Sequence, residues 1–192
     1  MCARYCIDNS VYDEIEPEVG EIPKEYRITG DIRPSEHPCC IIAGYEGLIA
    51  TNEIAWGYPD RDGKGLLINA RAETILEKPT FRHGILSNRC LLPARGFYEW
   101  DAKKDKVSFF MPDEKAFFLA GCFDVFQDKK RFTIITTAAN ESMIQVHDRM
   151  PLILTPADAK DWLLTEKYKE LLSADMPILE NKREYEQLTL NL

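Results

Sequence analysis

The residues best suited to covalent chemistry open the chain. Removing Met1 from Met1-Cys2-Ala3-Arg4 leaves an N-terminal cysteine whose α-amine and thiol sit on adjacent carbons. Both groups can add to one aldehyde, the amine as a Schiff base and the thiol by attack on it, closing a five-membered thiazolidine. An internal cysteine lacks the amine. An α-amine titrates near ~7.7 to 8.0, so a usable fraction is neutral at neutral pH, whereas a surface lysine near ~10.4 stays charged. From the residues alone, Cys2 can equally be an ordinary small residue after an initiator methionine.

Four polar clusters interrupt or end otherwise apolar runs. Asn69-Ala70-Arg71-Ala72-Glu73-Thr74 lies where a strand runs out into a helix; Glu73 there complements the helix macrodipole, with Asn69 and Arg71 as surface positions. In Gly96-Phe97-Tyr98-Glu99-Trp100 the carboxylate either faces solvent, which alternation favours, or lies in an apolar pocket where it can trade protons. His147-Asp148-Arg149-Met150-Pro151 holds a histidine able to move a proton near neutral pH, with Asp148 to orient it, or else a structural histidine. Arg4, Arg71 and Arg149 suit phosphate, which guanidinium grips bidentately; separately, each reads as a surface salt bridge.

These clusters need a scaffold. Cys39–Ala43 and Leu48–Ala50 read as a hairpin, and residues 58–65 as a turn region. A strand follows over 66–70, then a short helix over 73–77 that ends before Pro79. Residues 89–93, 97–100, 107–111, 116–124 and 131–137 are rich in aromatic and β-branched side chains and predict a meandering antiparallel sheet. One or two helical turns over 141–146 lead to His147, and 150–154 is another strand. Pro156 opens a helix through Leu164 with Thr155 as its N-cap, and 167–172 is a further helix. Asp8 to Glu25, acidic and interrupted by Pro17 and Pro23, reads as a surface loop or short helix rather than core. The expected architecture is one β-rich α+β domain over residues 1–192, with helices at the end.

Composition narrows the function classes. With 45% hydrophobic residues and 192 positions, the chain can bury a real core. No basic segment followed by an apolar run opens it and no apolar run reaches membrane length, so a cytosolic protein without membrane contact is expected. Six cysteines without C-x-x-C spacing or paired histidines argue against zinc and a disulfide framework; the last four are expected as buried thiols. A net charge of -8 argues against a general polyanion binder. Residues 61–104, however, carry nine basic and five acidic groups, which leaves room for a local basic face. Neither metal nor cofactor is expected, and a monomer is.

In this order the clusters resemble the SOS response-associated peptidase (SRAP) family of abasic-site processing proteins, which crosslink to single-stranded DNA. The similarity runs through Met1-Cys2-x-Arg4, Trp56-Gly57, Asn69 to Thr74, Arg89 to Trp100, and Phe132 to Leu154. It implies a mainly antiparallel, barrel-like sheet with flanking helices, and Cys2 as the covalent link to an abasic site. By the same resemblance, Asn69 holds the Cys2 amine, Glu99 shuttles protons and His147 assists opening of the sugar. Arg4, Arg71 and Arg149 hold the flanking phosphates, and Trp100, Phe97 or Trp56 offers surface for stacking or packing. Lyase character follows from a Schiff base at the abasic sugar. The chain departs from the family pattern at Ala3, where Gly is common, and at Asp31-Ile32-Arg33-Pro34, where Asn-Val-Ala-Pro is common. Two alternatives remain: a cysteine peptidase or autoprotease using Cys2, with the thiolate activated by His147, and a non-covalent single-strand binding module.

Overall fold

The computed structural model describes residues 2–183. Met1, whose removal the chemistry at Cys2 requires, and residues 184–192 of the expected domain lie outside them. The chain opens with strand β1 (Tyr5–Ile7), helix α1 (Asn9–Val19) and strand β2 (Gly30–Ile32). The expected hairpin forms as β3 (Cys40–Ala43) and β4 (Leu48–Thr51), then come β5 (Ala55–Trp56), β6 (Tyr58–Pro59), β7 (Leu66–Leu67) and β8 (Asn69–Arg71). Helix α2 (Pro79–Ser87) precedes the long strands β9 (Arg89–Ala94), β10 (Gly96–Trp100), β11 (Lys106–Phe110), β12 (Phe117–Phe126) and β13 (Lys129–Ala138). Strands β14 (Arg149–Pro151) and β15 (Ile153–Leu154), helices α3 (Ala159–Leu164) and α4 (Tyr168–Leu171), and strand β16 (Glu180–Arg183) complete the described chain.

Two sheets share one hydrophobic core. The smaller has the order β16-β11-β10-β1-β2, every pairing antiparallel. The larger runs β14-β13-β12-β9-β3-β4, with β15 on β12 and with β5 and β8 on β13. The chain steps directly from β9 in one sheet to β10 in the other through Arg95. The fold is thus α+β and rich in strands as expected, but the barrel-like expectation is corrected. Among the described residues both sheets stay open, because β2 and β16 in one and β4 in the other pair on one side only. Nor is the sheet a pure antiparallel meander: β5 and β8 lie parallel to β13, in register at Arg131↔Ala55 and Ile134↔Asn69. That parallel pairing carries Asn69 and Arg71 to the end of β13 from which His147 and Arg149 also project.

Two local expectations change, and a third holds. Residues 9–19 form a helix that belongs to the core, with Val11, Tyr12, Ile15 and Val19 buried. Its acidic side chains occupy the outer face, which is why composition alone reads it as surface. Residues 72–74 make only a single tight turn, and the helix proper begins at Pro79. Proline there supplies the preset φ of a first helical position and gives up an N–H that has no partner in any case. Thr155 forms the expected cap, in a reciprocal box with Asp158.

Asp8 caps α1, accepting from Ser10 N at 2.9 Å and Val11 N at 3.3 Å, and it also receives Arg95 Nε at 3.0 Å. Arg95 hydrogen bonds lower the Asp8 carboxyl to about 2. Its folded value lies below the unfolded ~3.9, so this stabilisation is present above ~3.9 and lost as pH falls through that folded value. Solvent at the half-exposed pair reduces it to about 1 kcal/mol. Denaturant titrations between pH 5 and 2 should show Asp8→Asn, which keeps the cap, losing less stability on acidification than the wild-type chain.

Candidate active site

Cys2 is buried, 1% exposed, just ahead of β1. Its carbonyl accepts a hydrogen bond from Asn69 Nδ2 at 2.9 Å, a contact spanning both sheets. Asn69 Oδ1 is buried and has no hydrogen-bond partner. The family resemblance implies that Asn69 holds the amine of Cys2; the structure places its amide nitrogen on the carbonyl, with the unmatched oxygen left over. Burial, and after it the negative charge of Glu99, push the Cys2 thiol well above the ordinary range, against a hydrogen bond from the Arg4 backbone N–H. Cys2 is therefore a thiol rather than a thiolate at neutral pH.

Glu99 lies on β10, 4% exposed. Alternation along a strand does not reveal this, because both faces of β10 are covered here. Phe97, on the Glu99 face, stacks on Phe109 with centroids 5.2 Å apart. Tyr98, on the other, is covered by Lys106 Nζ at 4.0 Å and the Arg4 guanidinium at 5.6 Å from the ring centre.

The turn between β13 and β14 delivers His147. Asn140 fixes this turn by donating to the carbonyls of Met176 and Pro177 and accepting from Ser142. Arg149 N donates to His147 Nδ1 at 2.9 Å, while Asp148 Oδ1 lies 3.0 Å from the same nitrogen. A ring nitrogen that accepts a backbone N–H carries no proton, so the neutral imidazole bears its hydrogen on Nε2. The Asp148 contact becomes a bond only when the ring is protonated, and Asp148 is largely exposed.

The three arginines differ. Arg71 is exposed at the end of β8. Arg149 donates to both oxygens of Glu73, at 2.6 and 2.8 Å, and to Thr136 O at 2.6 Å. Arg71 and Pro151 both stand opposite Thr136 in the sheet register, so Arg71, Arg149 and His147 share one end of β13. Arg4 pairs with Asp31, which also receives the Tyr98 hydroxyl at 2.9 Å. The sequence offers no local sign of Asp31 in this role, and it reads Glu73 as a helix-end charge rather than a partner for Arg149.

Of the three aromatics expected to stack or pack near the lesion, two are buried. Trp56 is fully buried, its Nε1 donating to Ile68 O at 2.9 Å and its ring against Phe132. Phe97 is also fully buried. Each packs in the core and has no surface for a base, whereas Trp100 is 40% exposed. Cys39, Cys40, Cys90 and Cys122 are buried free thiols. Among the described residues, no group of His, Cys, Asp and Glu side chains is arranged to hold a metal ion.

Known proteins share this fold. A solved structure from Bacteroides thetaiotaomicron superposes with a TM-score of 0.76 at 24% identity, over 95% of this chain and 91% of that one. One from Bordetella bronchiseptica gives 0.78 at 20% identity, over 96% and 100%. Among sequences, abasic site processing protein YoaM of Bacillus subtilis is 34% identical over 181 residues, 85% of this chain and 79% of its own length. Abasic site processing protein YedK of Escherichia coli is 35% identical over 125 residues, 59% and 54% of the two chains. The model of the SOS response associated peptidase (SRAP) family matches residues 1–189. The chain belongs to that family.

Proposed function

We propose that the chain processes abasic sites in single-stranded DNA by capturing them as a thiazolidine on Cys2. The observation that carries this reading is the seat of Cys2: buried, gripped at its carbonyl by Asn69, with its thiol held protonated beside Glu99. The names of the relatives, which are abasic site processing proteins, agree with it.

The reaction needs four movements. The abasic sugar rests as a ring hemiacetal; as the bond from C1′ to the ring oxygen breaks, His147 Nε2–H delivers a proton to that oxygen and the C1′ hydroxyl loses one, leaving an aldehyde. The neutral Cys2 amine adds to the aldehyde carbon. Loss of water gives an iminium, whose proximity to a neutral thiol is the point of the arrangement. Sulfur then adds to the iminium carbon while its proton passes to Glu99, and the ring closes with one water released overall. Asn69 Oδ1 suits the N–H groups of the freed amine. Arg71 is exposed for a flanking phosphate and Trp100 for a neighbouring base.

The iminium also acidifies the C2′ protons, so strand cleavage by elimination of the 3′ phosphate accompanies slow ring closure. This is the lyase character of the site. A peptidase would need Cys2 as a thiolate, and burial with Glu99 moves the thiol the other way. Among the described residues, no helix is long and apolar enough to cross a membrane.

Mixing the protein with a single-stranded oligonucleotide bearing one abasic site, and reading intact mass with a denaturing gel, tests the reading. A product weighing the Met1-less protein plus the oligonucleotide less one water is expected. Absence of a shift from protein shown to lack Met1 overturns it.

A further inference from the structure

Several arginines of the chain are bonded to carboxylates or carbonyls, and Arg4 and Arg149 differ from three of them. Arg27 uses Nε on Ile22 O at 3.1 Å, Arg89 on Trp162 O at 2.6 Å and Arg95 on Asp8 at 3.0 Å. These are fully employed in holding segments together. Arg4 and Arg149 instead keep a buried Nε with no hydrogen-bond partner. Arg4 is held at an outer nitrogen by Asp31, and Arg149 at its outer nitrogens by Glu73 and by Thr136 O.

In both pairs the carboxylate is the more exposed partner, at 30% against 24% for Asp31 on Arg4, and 48% against 13% for Glu73 on Arg149. An anion arriving from solvent meets the acid before the guanidinium. Asp31 also borders a cavity of about 260 Å³, shared with Glu36 and His37, which offers room for its side chain once it leaves Arg4. A carboxylate presents two oxygens in one plane to the guanidinium fork, and a phosphate diester presents two at similar spacing. Glu73 meets the Arg149 fork with both oxygens, while Asp31 gives Arg4 one and takes the Tyr98 hydroxyl on the other; each oxygen on a guanidinium stands where a phosphate oxygen could bond.

We propose that Asp31 and Glu73 are built-in counter-anions that neutralise Arg4 and Arg149 until the phosphates of a DNA strand replace them. This inference rests on the DNA reading above and adds to it the source of selectivity. Exchange of one anion for another yields little net attraction, so undamaged single strands are held weakly. An abasic strand is then retained by the bond to Cys2 and not by charge. Arg71, exposed on β8, supplies the initial attraction.

The test is fluorescence anisotropy with a lesion-free single-stranded oligonucleotide, across a salt series, for wild type, Asp31→Asn and Glu73→Gln. Each amide keeps the shape and hydrogen-bond acceptor of the acid and removes its charge. Each substitution should tighten binding roughly three- to ten-fold and steepen the dependence of log affinity on log salt by up to ~0.7 for the arginine it frees. The gain from Asp31→Asn should vanish in an Arg4→Ala background, a result that general loosening of the fold would not produce. If Asp31→Asn melts early, Glu73→Gln on its exposed turn carries the same test. Unchanged or weaker binding by the amide variants overturns the inference, and a wild-type chain that still crosslinks an abasic strand would leave the DNA reading intact. A wild-type chain that forms no crosslink overturns the DNA reading itself, whatever the amide variants do.

Discussion

Cys2→Ala gives no heat-stable adduct with an abasic strand, and a chain that keeps Met1 gives none either. The two failures have different causes. Alanine retains the amine, so Cys2→Ala still forms a Schiff base, which is lost on heating and recovered as a covalent product only after borohydride reduction. Retained Met1 converts the Cys2 nitrogen into an amide, and reduction then traps nothing through that residue. Cys2→Ser behaves like alanine on a gel, because its hydroxyl is a poorer nucleophile toward the iminium than sulfur. With closure disabled the iminium lives longer, so both variants should cleave the strand more than wild type per adduct formed. A heat-stable adduct surviving in Cys2→Ala would remove Cys2 from the mechanism.

The second large effect is expected at Glu99. Glu99→Gln should slow crosslinking by ~10²-fold or more, the ordinary worth of a positioned proton acceptor. It should act oppositely on the thiol itself. Glu99 is the second cause, after burial, of the raised Cys2 titration, so removing its charge moves the thiol downward and speeds its alkylation at a fixed alkaline pH. A thiol that reacts faster with a small alkylating agent but slower with an abasic strand marks Glu99 as the acceptor of the thiol proton and not as a general activator of sulfur. Glu99→Asp keeps the carboxylate, set back by one methylene, and should recover part of the rate. Wild-type crosslinking speed in Glu99→Gln would exclude the role.

Much of the scaffold is readable in the sequence because its long strands, from Arg89 to Ala138, are runs of aromatic and β-branched residues broken by turn formers. What escapes is information the local pattern does not hold. Val11, Ile15 and Val19 have helical spacing, but Pro17 and the acids between them obscure it. Pro79 is as compatible with a helix start as with a helix stop. Whether a sheet closes depends on the edges of β2, β4 and β16, which no run of residues specifies. At the site, polar residues set in apolar strands single out Asn69, Glu99 and His147. At Trp56 and Phe97 the pattern does not tell packing from stacking, since an aromatic ring reads alike in a core and on a surface. Asp31 and Glu73 are invisible because their partners lie 27 and 76 positions away.

The placement of β1 inside its sheet, between β10 and β2, has a consequence for maturation. Cys2 is buried directly ahead of this interior strand, so its own position is a closed seat once folding is complete. The residue that grips it, Asn69, is 67 positions further along and leaves the ribosome long after the N-terminus does. An aminopeptidase therefore has its access during synthesis, while the first residues are still without their covering strands. A chain that misses that interval would fold with its nucleophile capped, and an N-terminal fusion that is never removed is expected to block crosslinking at Cys2.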